Sequence, residues 1–314
     1  MCATCGCSGD AVPAVAVLDI SGAAHDHGPA DRVHPDHAHP HAPAHAHPHE
    51  HAHPHEHAHA HAHAHAHLAS EPGDAEHRAP GEPSREGVQA LPADRVLRLE
   101  QDVLAKNNLL AARNRGWLEG RGVLALNLMS APGAGKTTLL ERTIRALRSE
   151  FPIAVIEGDQ ATQRDAERIR SAGCRAVQIT TGTGCHLDAE MIARGLRTLA
   201  PAPASLVLIE NVGNLVCPAL FELGEHAKVV IASVAEGEDK PLKYPHMFRA
   251  AQLMILNKID LLPHVACDAD QYIAYARQVN PELEVLQVSA TRGDGLDTWY
   301  SWLRRQVRAH IAAS

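Results

Sequence analysis

Nine consecutive residues, Glu210-Asn211-Val212-Gly213-Asn214-Leu215-Val216-Cys217-Pro218, put a carboxylate, a glycine and a thiol on one stretch of chain. They follow Leu206–Ile209, an apolar run that reads as a buried parallel strand. In a nucleotide hydrolase, a carboxylate at such a strand end faces the Mg²⁺ ion, and the glycine behind it senses the γ-phosphate. A cysteine on the same segment adds a ligand for a soft or borderline metal. The stretch points to nucleotide hydrolysis coupled to metal handling.

A phosphate site stands earlier in the chain. Ser130-Ala131-Pro132-Gly133-Ala134-Gly135-Lys136-Thr137-Thr138 lies between an apolar run, 125–129, and a helical stretch, 137–148. This is the strand, glycine-rich loop and helix order of a P-loop. Gly133, Ala134 and Gly135 would curl so that backbone N–H groups meet phosphate oxygens, and the helix N-terminus adds partial positive charge. Lys136 would lie between the β- and γ-phosphates, with the Thr137 hydroxyl on Mg²⁺ and Thr138 beside it. Ser130 stands where the usual pattern has glycine.

Asn257-Lys258-Ile259-Asp260 follows a second apolar run, and Ser289-Ala290-Thr291 a third. Asp260 would accept from both guanine N1–H and N2–H₂, which adenine does not offer in that arrangement. Lys258 would cover the base, Asn257 would tie this loop to the P-loop, and Ser289-Ala290 would bring a backbone N–H to guanine O6. In this order, each at a strand end, the motifs favour GTP over ATP. Asp159 and Asp165, after the run 155–158, are candidates to hold Mg²⁺ or position the attacking water. Capping of the helix that follows is the competing role, more so for Asp165.

Three groups of residues suit transition metals. Cys2, Cys5 and Cys7 place three thiols within six residues of a segment too short for a core. Residues 25–67 hold eighteen of the 24 histidines, alternating with alanine, proline and glutamate. Such a tract lacks the apolar bulk to offset ordering entropy and reads as a disordered, multivalent reservoir for Ni²⁺ or Zn²⁺. A plain histidine-rich linker is the alternative. The third group is Cys185-His186 with Cys217, on two loops leaving the same end of a parallel sheet. Two thiolates and an imidazole are an incomplete shell for Ni²⁺ or Zn²⁺, to be completed by water, another side chain or a second copy. Each cysteine alone would more often be a small buried hydrophobe; adjacency and location favour ligands. Cys174 and Cys267 have no such company and read as structural.

The elements that must position these groups follow from periodicity and punctuation. Strands at about 124–129, 153–157, 175–180, 206–210, 228–233, 252–256 and 284–288 alternate with helical stretches, which predicts an α/β fold with a mostly parallel sheet and helices on both faces. A preceding helix spans 94–115, with positions 96, 99, 103 and 110 as its apolar face, Asp94 as cap, and Arg113 and Arg115 suiting its C-terminal dipole before Gly116. The chain divides into a cysteine segment (1–22), a histidine tract and linker (23–92), and a nucleotide-binding domain (93–314). No apolar run reaches eighteen residues, which argues against a membrane span. The formal charge of −8 argues against general nucleic-acid binding. Residues 11–20 are apolar but lack the basic lead-in of a signal peptide, so a reduced, cytoplasmic setting is expected.

The set resembles the HypB family of GTPases, which help insert nickel into nickel–iron hydrogenases. The resemblance rests on Met1 to Cys7, Glu157-Gly158-Asp159, Gly184-Cys185-His186, Glu210 to Pro218, and Glu236 to Pro245. It covers the cysteine motif and everything from about Ala93 onward. It implies a GTPase fold of the signal-recognition and MinD-like class, and a GTP-dependent homodimer with the Cys185, His186 and Cys217 set near the interface. Lys243 would lie near the nucleotide across that interface, and Leu261, Leu262 and Val265 would be contact residues. The implied partners are a HypA-type metallochaperone and the hydrogenase large-subunit precursor. The rivals are an accessory GTPase of urease or of a cobalamin enzyme, and a nickel store in which the GTPase is secondary.

Overall fold

The computed structural model describes residues 14–18, 93–159, 164–182 and 184–313. Cys2, Cys5, Cys7, the histidines of 25–67 and the linker 70–92 lie outside them. All seven parallel strands appear within two residues of expectation: β2 (Leu124–Ser130), β3 (Ile153–Asp159), β4 (Arg175–Thr180), β5 (Leu206–Glu210), β6 (Ala227–Ser233), β7 (Leu253–Asn257) and β8 (Glu284–Gln287). An eighth strand, β1 (Ala14–Leu18), pairs antiparallel with β4 at the sheet edge. Its five residues lie in the apolar run 11–20, where nothing signals a strand, because an edge strand needs only one partner and its pairing is long-range. The sheet order is β1-β4-β3-β5-β2-β6-β7-β8.

Alternation along the strands sends side chains to two faces. Leu124, Leu126, Leu128, Val155, Leu206 and Leu208 meet α2 (Lys136–Leu147), α3 (Arg164–Ser171) and α9 (Leu296–Ala313). Within this layer Trp299 and Trp302 are buried, and Trp299 Nε1 donates to Thr143 Oγ1 at 2.8 Å. The opposite face receives Ala125, Ile156, Val177, Val207 and Ile209, covered by α1 (Ala93–Glu119) and α4 (Ala189–Leu199). Farther along, α7 (Pro245–Ala250) and α8 (Ala269–Val279) cover β6 and β7.

Helix α1 departs from expectation at its end and on its face. It runs through Gly116 to Glu119, and Arg115 pairs with Glu222 at 3.1 Å rather than facing the helix terminus. Val103 is 48% exposed, while the inward positions are Asn107, Ala111, Asn114 and Leu118. Within 101–119, apolar periodicity misses this face because two of its four buried members are asparagines, admitted to the interior by hydrogen bonds to Ala189, Glu222 and Leu223. Among the described residues, no helix is long and apolar enough to cross a membrane.

Candidate nucleotide and metal site

The loop between β2 and α2 turns on Gly135, whose φ of +97° favours glycine and where a Cβ would come within 2.4 Å of Asn257 Nδ2. Thr137, the second residue of α2, donates through Oγ1 to Glu210 Oε1 at 2.7 Å. Lys136 Nζ lies 3.7 Å from the same carboxylate oxygen and donates to Ser130 Oγ at 3.3 Å. Ser130, the departure from the usual motif, is thus a buried partner of the P-loop lysine. The guanine motif is tied in: Asn257 Nδ2 donates to Ala134 O at 2.8 Å, and Lys258 Nζ to Gly133 O at 2.7 Å. Asp260 is half-buried on the turn just beyond.

A cavity of about 550 Å³ is lined by the P-loop, Asp159, Asp165, Glu210, Gly213 and Lys258. Gly213 packs against Pro132 of the P-loop, where an added Cβ would come within 3.1 Å of the proline ring. Asp165 pairs with Arg168 at 3.1 Å. Ser289 and Ala290 are buried but brace the loop: the Ala290 N–H donates to Asn257 Oδ1 at 3.0 Å and the Ser289 N–H to Asp294 O at 2.9 Å. Both N–H groups are thus engaged within the chain. Lys243 pairs with Asp239 at the surface, outside the residues lining this cavity.

Two charged lining residues carry no role in the sequence reading, Glu157 and Arg168. Arg168 joins Glu141, Asp165 and Thr138 Oγ1, and nothing in its helical context signals that placement. Glu157 has a signal, a carboxylate inside an otherwise apolar strand. It is 3% exposed, and burial, then the Glu210 and Asp159 carboxylates, push it up to about 9. Burial also raises Glu210, opposed by Lys136 and the Thr137 hydroxyl. Glu157 Oε2 and Glu210 Oε2 are buried without a hydrogen-bond partner. Crowded carboxylates with unsatisfied oxygens beside a threonine hydroxyl fit a hard divalent cation such as Mg²⁺.

The raised Glu157 sets a pH dependence. Between its ordinary value near 4.5 and about 9, the folded state keeps a proton that the unfolded state has released, so stability falls as pH rises through that window. A Glu157→Gln variant is therefore expected to become progressively more stable than wild type in the nucleotide-free form, the gap in Tm widening by roughly 5 °C from pH 6 to pH 9. Thermal melts across that range check it; a constant gap would mean that Glu157 titrates normally.

The candidate metal ligands meet on the other face of the same sheet end. Cys185 and His186 follow β4, and Cys217 opens α5 (Cys217–Leu220). Their ligand atoms all lie within 4.8 Å of one another, with Cys185 Sγ 3.2 Å from Cys217 Sγ and 3.6 Å from His186 Nδ1. His186 stacks on Phe221 with ring centroids 3.9 Å apart, and burial lowers its pKa, which favours the neutral, ligating imidazole. Cys174 sits instead in the core beneath α3, where burial alone pushes its thiol up to about 12. Cys267 is half-buried and also raised, by burial and by Glu238 and Asp268.

Comparison with known proteins shows the family to which the chain belongs. The family described as CobW/HypB/UreG, nucleotide-binding domain, matches residues 124–287. The hydrogenase maturation factor HypB of Azotobacter vinelandii is 56% identical over 235 residues, spanning 74% of this chain and 78% of the relative. The chain belongs to the HypB family of nucleotide-binding hydrogenase maturation factors. Among solved structures, HypB of Archaeoglobus fulgidus superposes with a TM-score of 0.62 at 42% identity, covering 65% of this chain and all of that one. HypB of Helicobacter pylori, crystallised in complex with nickel, gives 0.61 at 37% identity, covering 66% and 97%. The matched family segment runs from β2 to the end of β8, so α1 and α9 lie outside it.

Proposed function

We propose that this chain hydrolyses GTP and uses the reaction to deliver nickel during maturation of a nickel–iron hydrogenase. The observation carrying the reading is the loop from Glu210 to Cys217. One end is hydrogen-bonded to Thr137 of the P-loop helix, and the other places its thiol against Cys185. Nickel as cargo is supported by the nickel complex of the Helicobacter relative, since two thiolates and an imidazole suit Ni²⁺ and Zn²⁺ alike.

In this mechanism the P-loop N–H groups and Lys136 bind the β- and γ-phosphates, and Asp260 selects guanine. Thr137, Asp159 and Glu210 would hold Mg²⁺, which when bound neutralises phosphate charge. Asp159 orients the attacking water, Asp165 holds Arg168 at the rim, and Lys136 stabilises charge as the bond to the γ-phosphorus breaks. Loss of the γ-phosphate releases Gly213, and with it the segment bearing Cys217. A GTP-dependent homodimer would complete the metal shell, bring Lys243 toward the partner's nucleotide and use Leu261, Leu262 and Val265 as contacts. A HypA-type metallochaperone and the hydrogenase large-subunit precursor are the receiving partners, in a reduced cytoplasm. Cys2, Cys5, Cys7 and the histidine tract would supply and store metal upstream of the switch.

The test is titration of the full chain with Ni²⁺ and Zn²⁺, loaded with GDP or a non-hydrolysable GTP analogue, with oligomeric state read by light scattering. A shift of roughly tenfold in affinity, or a change in dimerisation, is expected. Equal affinity and equal mass in both forms would overturn the coupling and favour the storage reading.

A further inference from the structure

Glu210 and Asn211 are adjacent at the end of β5, and alternation sends their side chains to opposite faces of the sheet. Glu210 reaches Thr137 on the nucleotide face. Asn211, 1% exposed, reaches the metal face, where its Oδ1 accepts from Leu187 N at 3.2 Å, one residue beyond His186. Leu187 also packs on Gly158, next to Asp159, where any Cβ would come within 2.8 Å of its side chain. The Cys185-His186 segment is thus held by two strand ends that line the phosphate cavity.

Asn211 continues in a second direction. Its Nδ2 donates to Asn127 Oδ1 at 3.1 Å, and Asn127 Nδ2 donates to Glu225 Oε1 at 3.0 Å. Glu225 Oε2 accepts from Leu223 N at 2.7 Å, on the chain that follows Cys217 and α5. Lys228 holds the same chain, donating to Ala219 O at 3.3 Å and to Glu222. Asn127, Asn211 and Glu225 are all nearly inaccessible, and Asn127 is the polar residue between Ala125 and Met129 on one face of β2. A buried amide at that position loses its water and must be held by other partners. Directionality is also fixed: Asn127 must donate to the Glu225 carboxylate, so its oxygen must face Asn211.

We infer that Asn211 and Asn127 are positioning residues that transmit the state of the nucleotide loop to both metal-bearing segments. Asn211 acts directly on Cys185-His186, and acts through Asn127 and Glu225 on the chain behind Cys217. The inference rests on the GTP-gated metal reading proposed above. From α1, Asn107 and Asn114 also bridge Ala189 to Glu222 and Leu223, but their helix does not line the phosphate cavity, so they clamp both segments in either nucleotide state.

The experiment is hydrogen–deuterium exchange of the full chain, loaded with GDP or a non-hydrolysable GTP analogue, read on peptides covering 184–190 and 217–226. In wild type both peptides should change protection with nucleotide. In Asn127→Leu, of similar size, the response at 217–226 should shrink by about threefold or more while 184–190 still responds. Glu225→Gln, which puts an amide donor where Asn127 or Leu223 must donate, should do the same and guards against a folding defect in the first variant. A purely structural role would raise exchange equally in both nucleotide states, and that outcome overturns the inference. Retention of both responses in both variants also overturns it, while leaving the GTP-gated reading intact. No nucleotide response in wild type would remove the reading and the inference together.

Discussion

Phosphate release by a Lys136→Ala variant is expected to fall about 10³-fold, the largest effect of any single side chain in the nucleotide site. Two consequences add. The ammonium that would neutralise transferring phosphate oxygens is lost, and so is the only cation within 4 Å of Glu210 among the described residues. Burial already raises Glu210, and Lys136 is the largest influence opposing that rise. Without Lys136 the carboxyl keeps its proton more firmly and becomes a poorer metal ligand. The fold should survive, because Lys136 contributes no apolar contact to the core beneath α2. Single-turnover phosphate release at saturating Mg²⁺ and GTP measures the loss. A fall of less than about tenfold would take Lys136 out of the reacting site.

Cys217→Ala should lower Ni²⁺ affinity at the internal site by about 10²–10³-fold. Four-ligand structural zinc sites hold their metal with about 10–16 kcal/mol, or about 2.5–4 kcal/mol per ligand, and each 1.4 kcal/mol is a factor of ten. Cys217 is fully buried, so no alternative side chain can swing in from the surface. The titration is best followed by sulfur-to-nickel charge-transfer absorption in a chain carrying Cys2→Ser, Cys5→Ser and Cys7→Ser, since the histidine tract gives no such band. Cys174→Ala is the matched control. Its thiol lies in the core layer beneath α3, which does not include Cys217, and burial keeps it protonated, so affinity should change by less than about twofold. Equal losses in the two variants would mean that the effect of Cys217 is structural.

By itself, the sequence determined the elements whose causes are local. A parallel strand buried on both sides must be a short apolar run, which fits six of the seven expected strands; the seventh, β8, lies at the sheet edge and is partly exposed. The phosphate and guanine motifs were legible because loop chemistry depends on residue type at fixed spacing: Gly135 needs its positive φ, and Asn257 must reach Ala134. The Cys185, His186 and Cys217 set was legible as a candidate because both loops had to leave one end of the sheet.

Tertiary structure alone decided what depends on partners distant in sequence. Strand β1 exists by pairing with a strand more than 150 residues away. The inward face of α1 is set by asparagines that become buriable only once Glu222, Leu223 and Ala189 offer them backbone partners. Glu157 takes its perturbed ionisation first from burial and then from Glu210, which the fold brings beside it. Asn127 and Asn211 look like ordinary polar residues in the chain. A buried hydrogen bond has no periodicity to announce it, because its cause is the desolvated group that the fold places opposite.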